Sequence, residues 1–284
     1  MADAEPTKWT AVPLPGRELA LRILSALILA PLAVAVAYLG GWTFVVFWGL
    51  AAAGVLWEWA SLVALADRRA VLMGGLAPLA LAVALSGADR LLAAAIVVVM
   101  GALSAASLVS AARRLWVAGG LPYAGAVALA PVALRSDSDF GLLAVLFLFA
   151  IVWSTDIAAY FVGRALGGPR LMPAVSPKKT WSGALGGTAA AIAVSLAIAH
   201  YSGLTGWPAI AMVAALLSVA AQAGDLFESS LKRHFGAKDS SHLIPGHGGL
   251  MHRLDGFVAA AVVAALIGLA RGGVDAPGRG LMMW

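Results

Sequence analysis

Four carboxylates stand where an apolar chain should not keep them: Asp156, Asp225, Glu228 and Asp255 each interrupt or border a long hydrophobic run. An ionisable group at the bilayer centre costs about 2.5 to 3.5 kcal/mol on insertion scales, so these positions are expected to face the interior of a helix bundle. Asp225 and Glu228 are three residues apart and would share a helix face, and His252 and Asp255 repeat that spacing. Oxygen ligands gathered in this way suit a hard cation such as Mg²⁺, which binds a few carboxylates together with substrate phosphates. Two connections flank the acids, Arg164 to Ser182 and Ser229 to Arg253. They are rich in Gly, Pro, Ser and Lys, and hold eight of the 19 basic residues and four of the five histidines. Long loops in a tightly connected bundle usually carry function, and their cations would serve the phosphates.

The soluble phosphate-binding folds are excluded. There is no Gly-Lys dipeptide and hence no Walker A loop, and neither a G-x-G-x-x-G after a strand nor an HEXXH is present. With zero cysteines, disulfides, thiolate metal sites and a cysteine nucleophile are excluded, so a metal must sit on oxygen or imidazole. The net charge of +5 does not point to nucleic acid, because basic residues come in ones and twos between apolar runs rather than in blocks.

The elements that must position these groups are membrane helices. Of 284 residues 62% are hydrophobic and 12% charged, against roughly half and a quarter in soluble domains. Nine apolar runs are expected as spans: 19–39, 43–65, 70–86, 91–111, 115–134, 140–163, 183–202, 207–228 and 250–270. Fifteen of the 19 basic residues fall on the N-terminus and the even-numbered connections; Arg90, Arg135, Arg271 and Arg279 lie on the other side. The positive-inside rule then places the N-terminus and both long loops in the cytoplasm and the C-terminus outside. The run from Ile23 to Leu39 exceeds a signal-peptide h-region of roughly 7 to 15 residues and is followed at once by another span. The fold class expected is all-α, a polytopic bundle of about nine spans. Residues 1–140 supply N-terminal spans, and 141–284 a membrane domain with the functional loops.

Four sequence elements carry a resemblance. They are Asp156-Ile157-Ala158-Ala159-Tyr160-Phe161-Val162-Gly163-Arg164, Ser176-Pro177-Lys178-Lys179-Thr180-Trp181, Gly224-Asp225-Leu226-Phe227-Glu228-Ser229-Ser230, and the run from Ser230 to Asp255. In order and spacing they resemble the D-x-x-A-Y-x-x-G-R, S-P-x-K-T, G-D-L-x-E-S and signature elements of the phosphatidate cytidylyltransferases, or CDP-diacylglycerol synthases. The match covers residues 150–256; earlier residues are similar only in being apolar spans. The resemblance implies transfer of CMP from CTP to phosphatidate, giving CDP-diacylglycerol and pyrophosphate, with Mg²⁺ or Mn²⁺. It implies a multi-pass protein of the bacterial inner membrane, active on the cytoplasmic side, with no nucleic-acid partner; a homodimer stays open.

Carried over residue by residue, the resemblance assigns catalysis to Lys179, Asp225, Asp255 and Asp156, and metal binding to Asp225 and Asp255 with Glu228 and His252 as further ligands. Phosphate and lipid contacts fall to Ser176, Lys178, Thr180, Lys232, Arg233, Lys238, Gly246, His247, Gly248, Gly249 and Arg253. Two positions depart from the pattern. Ser182 stands where the family commonly has glutamate, and His252-Arg253-Leu254-Asp255 replaces D-R-x-D, exchanging a carboxylate for an imidazole that favours zinc, copper or iron. Two other functions compete: a CTP-dependent polyprenol or lipid kinase, which the Asp-rich signature fits less fully, and an ion-coupled transporter, which leaves the glycine and lysine loops unexplained.

Overall fold

A computed structural model describes residues 15–64, 67–237, 241 and 249–284, with side chains from residue 27 onward. The described chain is nearly all helix: α1 (Pro15–Leu39), α2 (Gly41–Val63), α3 (Arg68–Gly87), α4 (Leu91–Ser107), α5 (Arg114–Arg135), α6 (Gly141–Leu166), α7 (Trp181–Tyr201), α8 (Trp207–His234), α9 (Met251–Gly272) and α10 (Pro277–Met282). Each expected apolar run coincides with a helix. Seven helices are long and apolar enough to cross a membrane: α2, α3, Ala111–Arg135 containing α5, and α6 to α9. The apolar stretch Leu27–Leu39 and α4 are shorter. At 1.5 Å per residue the 17 residues of α4 reach about 25 Å, less than a hydrocarbon core of about 30 Å.

The sequence expectation needs amending at three places. The connection after α6, read as a loop, contains an antiparallel hairpin of β1 (Arg170–Met172) and β2 (Ser176–Thr180), so the fold is not purely α. Strands of three and five residues are too short to show a period against their polar surroundings. Second, α8 runs to His234, six residues beyond its apolar stretch. Lys232 reaches back one turn to Glu228, and Lys232, Arg233 and His234 in the last turn suit the negative end of the helix dipole. Third, the residues beyond the last expected span, to which the sequence assigns no element, form the short helix α10 and pack on the bundle. Arg279 N–H donates to Asp137 Oδ2 (2.7 Å), and the Arg271 guanidinium lies 3.5 Å from the Trp284 ring centroid.

The apolar core joins elements distant in sequence. Trp48 of α2 stacks on Phe257 of α9 at 4.7 Å, and Phe149 of α6 packs on both. Below the acidic residues, α6, α7 and α8 are also tied by polar groups. Thr155 Oγ1 donates to the buried Ser218 Oγ (2.9 Å), which lies 3.2 Å from Thr188 Oγ1, and Gln222 Nε2 donates to Thr188 Oγ1 (3.2 Å). In hydrocarbon such groups must satisfy one another.

Candidate active site

Asp225 and Asp255 meet because α8 and α9 touch through their backbones. A Cβ on Gly224 would collide with the Asp255 carbonyl oxygen and come within 2.8 Å of Ala259 Cβ, so only glycine permits this approach. Ligand atoms of Asp225, His252 and Asp255 consequently lie within 4.8 Å of one another. His252 Nδ1 is 3.1 Å from Asp255 Oδ2 and 3.5 Å from Glu228 Oε2. Asp255 is buried, and its Oδ1 accepts from Gly256 N–H at 2.6 Å. Glu228 is buried outright and holds Lys232 Nζ at 2.7 Å from Oε2. The two acids spaced three apart on α8 therefore part ways, Glu228 to Lys232 and His252, Asp225 to an element outside the pair.

That element is the hairpin. Gly167 and Gly168, both at positive φ, let the chain leave α6. Thr180 then takes an extended conformation, and its Oγ1 accepts from Gly183 N–H (3.1 Å), capping α7. Ser182 Oγ donates to Gly167 O, closing the base of the connection where the family pattern has glutamate. With both ends fixed, Lys179 of β2 points across to α8 and its Nζ sits 2.5 Å from Asp225 Oδ2. Both side chains keep 28% exposure, so this ion pair is not sealed inside the bundle.

The other assigned residues divide. Ser176 is half-buried on β2; Lys178 is exposed, its carbonyl accepting from Arg170 Nη1 (3.2 Å). Thr180 is buried with its hydroxyl engaged in the cap, and Lys232 is buried against Glu228, so neither presents a free group. Arg233 and Arg253 are exposed and Gly249 is buried beside the start of α9. Asp156 on α6 is exposed and forms no ion pair among the described residues, yet it lies within electrostatic reach of Asp225, Asp255, Lys179 and His252. Lys238, Gly246, His247 and Gly248 lie outside the described residues.

Sequence reasoning passed over Glu58. This residue of α2 is wholly buried, and its carboxylate accepts from Ser241 Oγ (2.5 Å), Leu250 N–H (2.6 Å) and Met251 N–H (2.8 Å). The signal was available: Glu58 is the one acid in the apolar run Gly41–Val63, and the rule that singled out Asp156 applies equally to it. Gln222, one turn before Asp225 and bonded to α7, was likewise missed because a neutral amide does not stand out in a hydropathy reading.

The site thus joins a lysine of the hairpin to Asp225 beside Asp255 on two long apolar helices, and comparison gives the class. The family model described as "Cytidylyltransferase family" matches residues 20–270, and the chain belongs to that family. Among its relatives, the phosphatidate cytidylyltransferase of Brucella suis biovar 1 (strain 1330) is 43% identical over 258 residues, covering 90% of this chain and 95% of the relative. That of Brucella abortus (strain 2308) is 44% identical over 249 residues, 87% and 92% of the two chains. The phosphatidate cytidylyltransferase of Haemophilus influenzae is 42% identical over 132 residues, 44% of this chain and 45% of its own.

Proposed function

We propose that this protein is a phosphatidate cytidylyltransferase whose reacting centre lies between Lys179, Asp225 and Asp255. In the reaction a phosphate oxygen of phosphatidate attacks the α-phosphorus of CTP. A new P–O–P bond forms, the bond from the α-phosphorus to the β-bridging oxygen breaks, and pyrophosphate leaves with that electron pair. The attacking phosphate is already ionised, so no serine or cysteine nucleophile is needed. Alignment and charge neutralisation are what the protein must supply. Lys179 neutralises phosphate oxygens in the centre, and exposed Lys178, Arg233 and Arg253 attract the polyanion at its rim. Asp156 of α6, within electrostatic reach of Lys179, Asp225, Asp255 and His252, orients this charge set.

The residues fit a divalent cation. Two carboxylates and an imidazole converge within 4.8 Å, and behind them Glu228 has a buried Oε1 with no hydrogen-bond partner among the described residues. Asp225, His252 and Asp255, with Glu228 beyond His252, would hold Mg²⁺ or Mn²⁺, which when bound supplies positive charge to the triphosphate. The two shorter apolar helices complete nine spans. The charge bias supports a site facing the cytoplasm, in keeping with a bacterial inner membrane.

The observation that carries the reading is the Lys179–Asp225 pair beside the Asp225–His252–Asp255 cluster, in a chain whose close relatives over nine-tenths of its length bear this name. Purified protein given phosphatidate, labelled CTP and Mg²⁺ should form labelled CDP-diacylglycerol and one pyrophosphate per lipid, and Asp225→Ala should form neither. Release of CDP with a phosphorylated lipid would mark a kinase instead.

A further inference from the structure

The α9 helix has no cap of its own. Leu250 stands at its N-cap position in a helical conformation without a side-chain acceptor, and there is no acid in the first turn. The N–H groups at a helix start need partners and attract negative charge. Here they are answered from the far end of the sequence: the Glu58 carboxylate of α2 takes Leu250 N–H on Oε1 and Met251 N–H on Oε2. The contact is close along the helix as well. A Cβ on Gly54, one turn earlier, would come within 2.8 Å of Leu250 Cδ2. The same Oε1 also accepts from Ser241 Oγ, so one oxygen atom binds both ends of the connection between Ser241 and Leu250.

We infer that Glu58 is a positioning residue for the reaction. It fixes the start of α9, and with it the His252–Asp255 face that meets Asp225, while drawing together the two ends of the connection that precedes it. His252 follows Met251 directly and Asp255 lies one turn on, so pinning the Met251 N–H sets the height and rotation of both side chains. The described contacts of Glu58 are with the Ser241 hydroxyl and the Leu250 and Met251 amides. The inference rests on the reading of Asp225 and Asp255 as the reacting centre.

The test uses the full chain reconstituted in lipid nanodiscs, with Glu58→Ala, Glu58→Gln, Ser241→Ala and Asp225→Ala. Hydrogen–deuterium exchange at the Leu250 and Met251 amides should speed up at least tenfold in Glu58→Ala. KM for CTP should rise at least tenfold there. Glu58→Gln, which keeps one acceptor oxygen, should fall between Glu58→Ala and wild type in both measurements. Ser241→Ala should raise KM while leaving the amides slow, since it frees one end of the connection only. A carboxylate that merely stabilised the bundle would reduce the amount of active protein without moving KM, and unchanged KM in Glu58→Gln overturns the inference, as does unchanged amide exchange in Glu58→Ala. Asp225→Ala separates the two levels. If it turns over normally, the assignment of the centre fails, whereas loss of turnover there with wild-type KM in both Glu58 variants defeats the positioning role alone.

Discussion

Two lysines pair with carboxylates of α8, and their surroundings give them different work. Lys232 is on the same helix as Glu228, with 8% and 0% side-chain exposure, so removing the ammonium would strand a buried charge. Breaking such a pair typically costs about 3 to 5 kcal/mol, and Lys232→Ala should appear as lost folded protein in a thermal melt before any kinetic effect is measurable. Lys179 arrives from another element and shares an accessible space with Asp225. Lys179→Ala should insert and purify normally yet turn over at least tenfold more slowly, because one charge-assisted contact is worth roughly 1.5 to 3 kcal/mol; wild-type rates would remove the hairpin from the centre. His252 is the third informative side chain. With imidazole in place of a carboxylate, Mg²⁺ should bind weakly and Mn²⁺ support relatively more activity, and His252→Asp should raise Mg²⁺-dependent turnover. Initial rates against metal concentration for wild type, His252→Asp and His252→Ala check this, and coincident curves would place His252 outside the coordination sphere. The spacing of three made Asp225, Glu228, His252 and Asp255 readable as a group. What it could not convey was that Glu228 turns to Lys232, a choice made by burial rather than by periodicity.

At the level of elements, the α8–α9 seam and the hairpin divide the task. The seam sets the distance between carboxylates through backbone contact at Gly224, and the hairpin delivers a cation from outside the helices. Gly224→Ala must push the helices apart against the Asp255 carbonyl, which should destabilise by about 1 to 3 kcal/mol and depress turnover further than the lost stability explains. Chemical denaturation in mixed micelles, paired with kcat, tests it; a fully active variant would show that the seam is loose. Helix positions were legible because apolar runs near 20 residues leave few alternatives. The ends were less so, since α8 continues on ion pairing and dipole complementarity after its apolar residues stop, and hydropathy does not register either. The cap that α9 borrows from α2 was illegible for another reason: its partners are 192 and 193 residues apart, and no local pattern encodes that pairing.

Across the whole molecule the charge asymmetry makes a single demand. If the chain makes the proposed nine spans with its cationic connections in the cytoplasm, reporter fusions at the N- and C-termini should report opposite sides of the membrane, and the same side would defeat the nine-span arrangement. The polar column beneath the carboxylates bears on how such a bundle is made. Ser218 of α8 is its hub, while Thr155 and Thr188 belong to α6 and α7, which emerge earlier from the ribosome. Until α8 enters the bilayer those hydroxyls lack the Ser218 hydroxyl that joins them. During synthesis there is therefore an interval in which α6 and α7 are made but Thr155 and Thr188 still await Ser218. A nascent chain that stalls between α7 and α8 would leave both hydroxyls without that link.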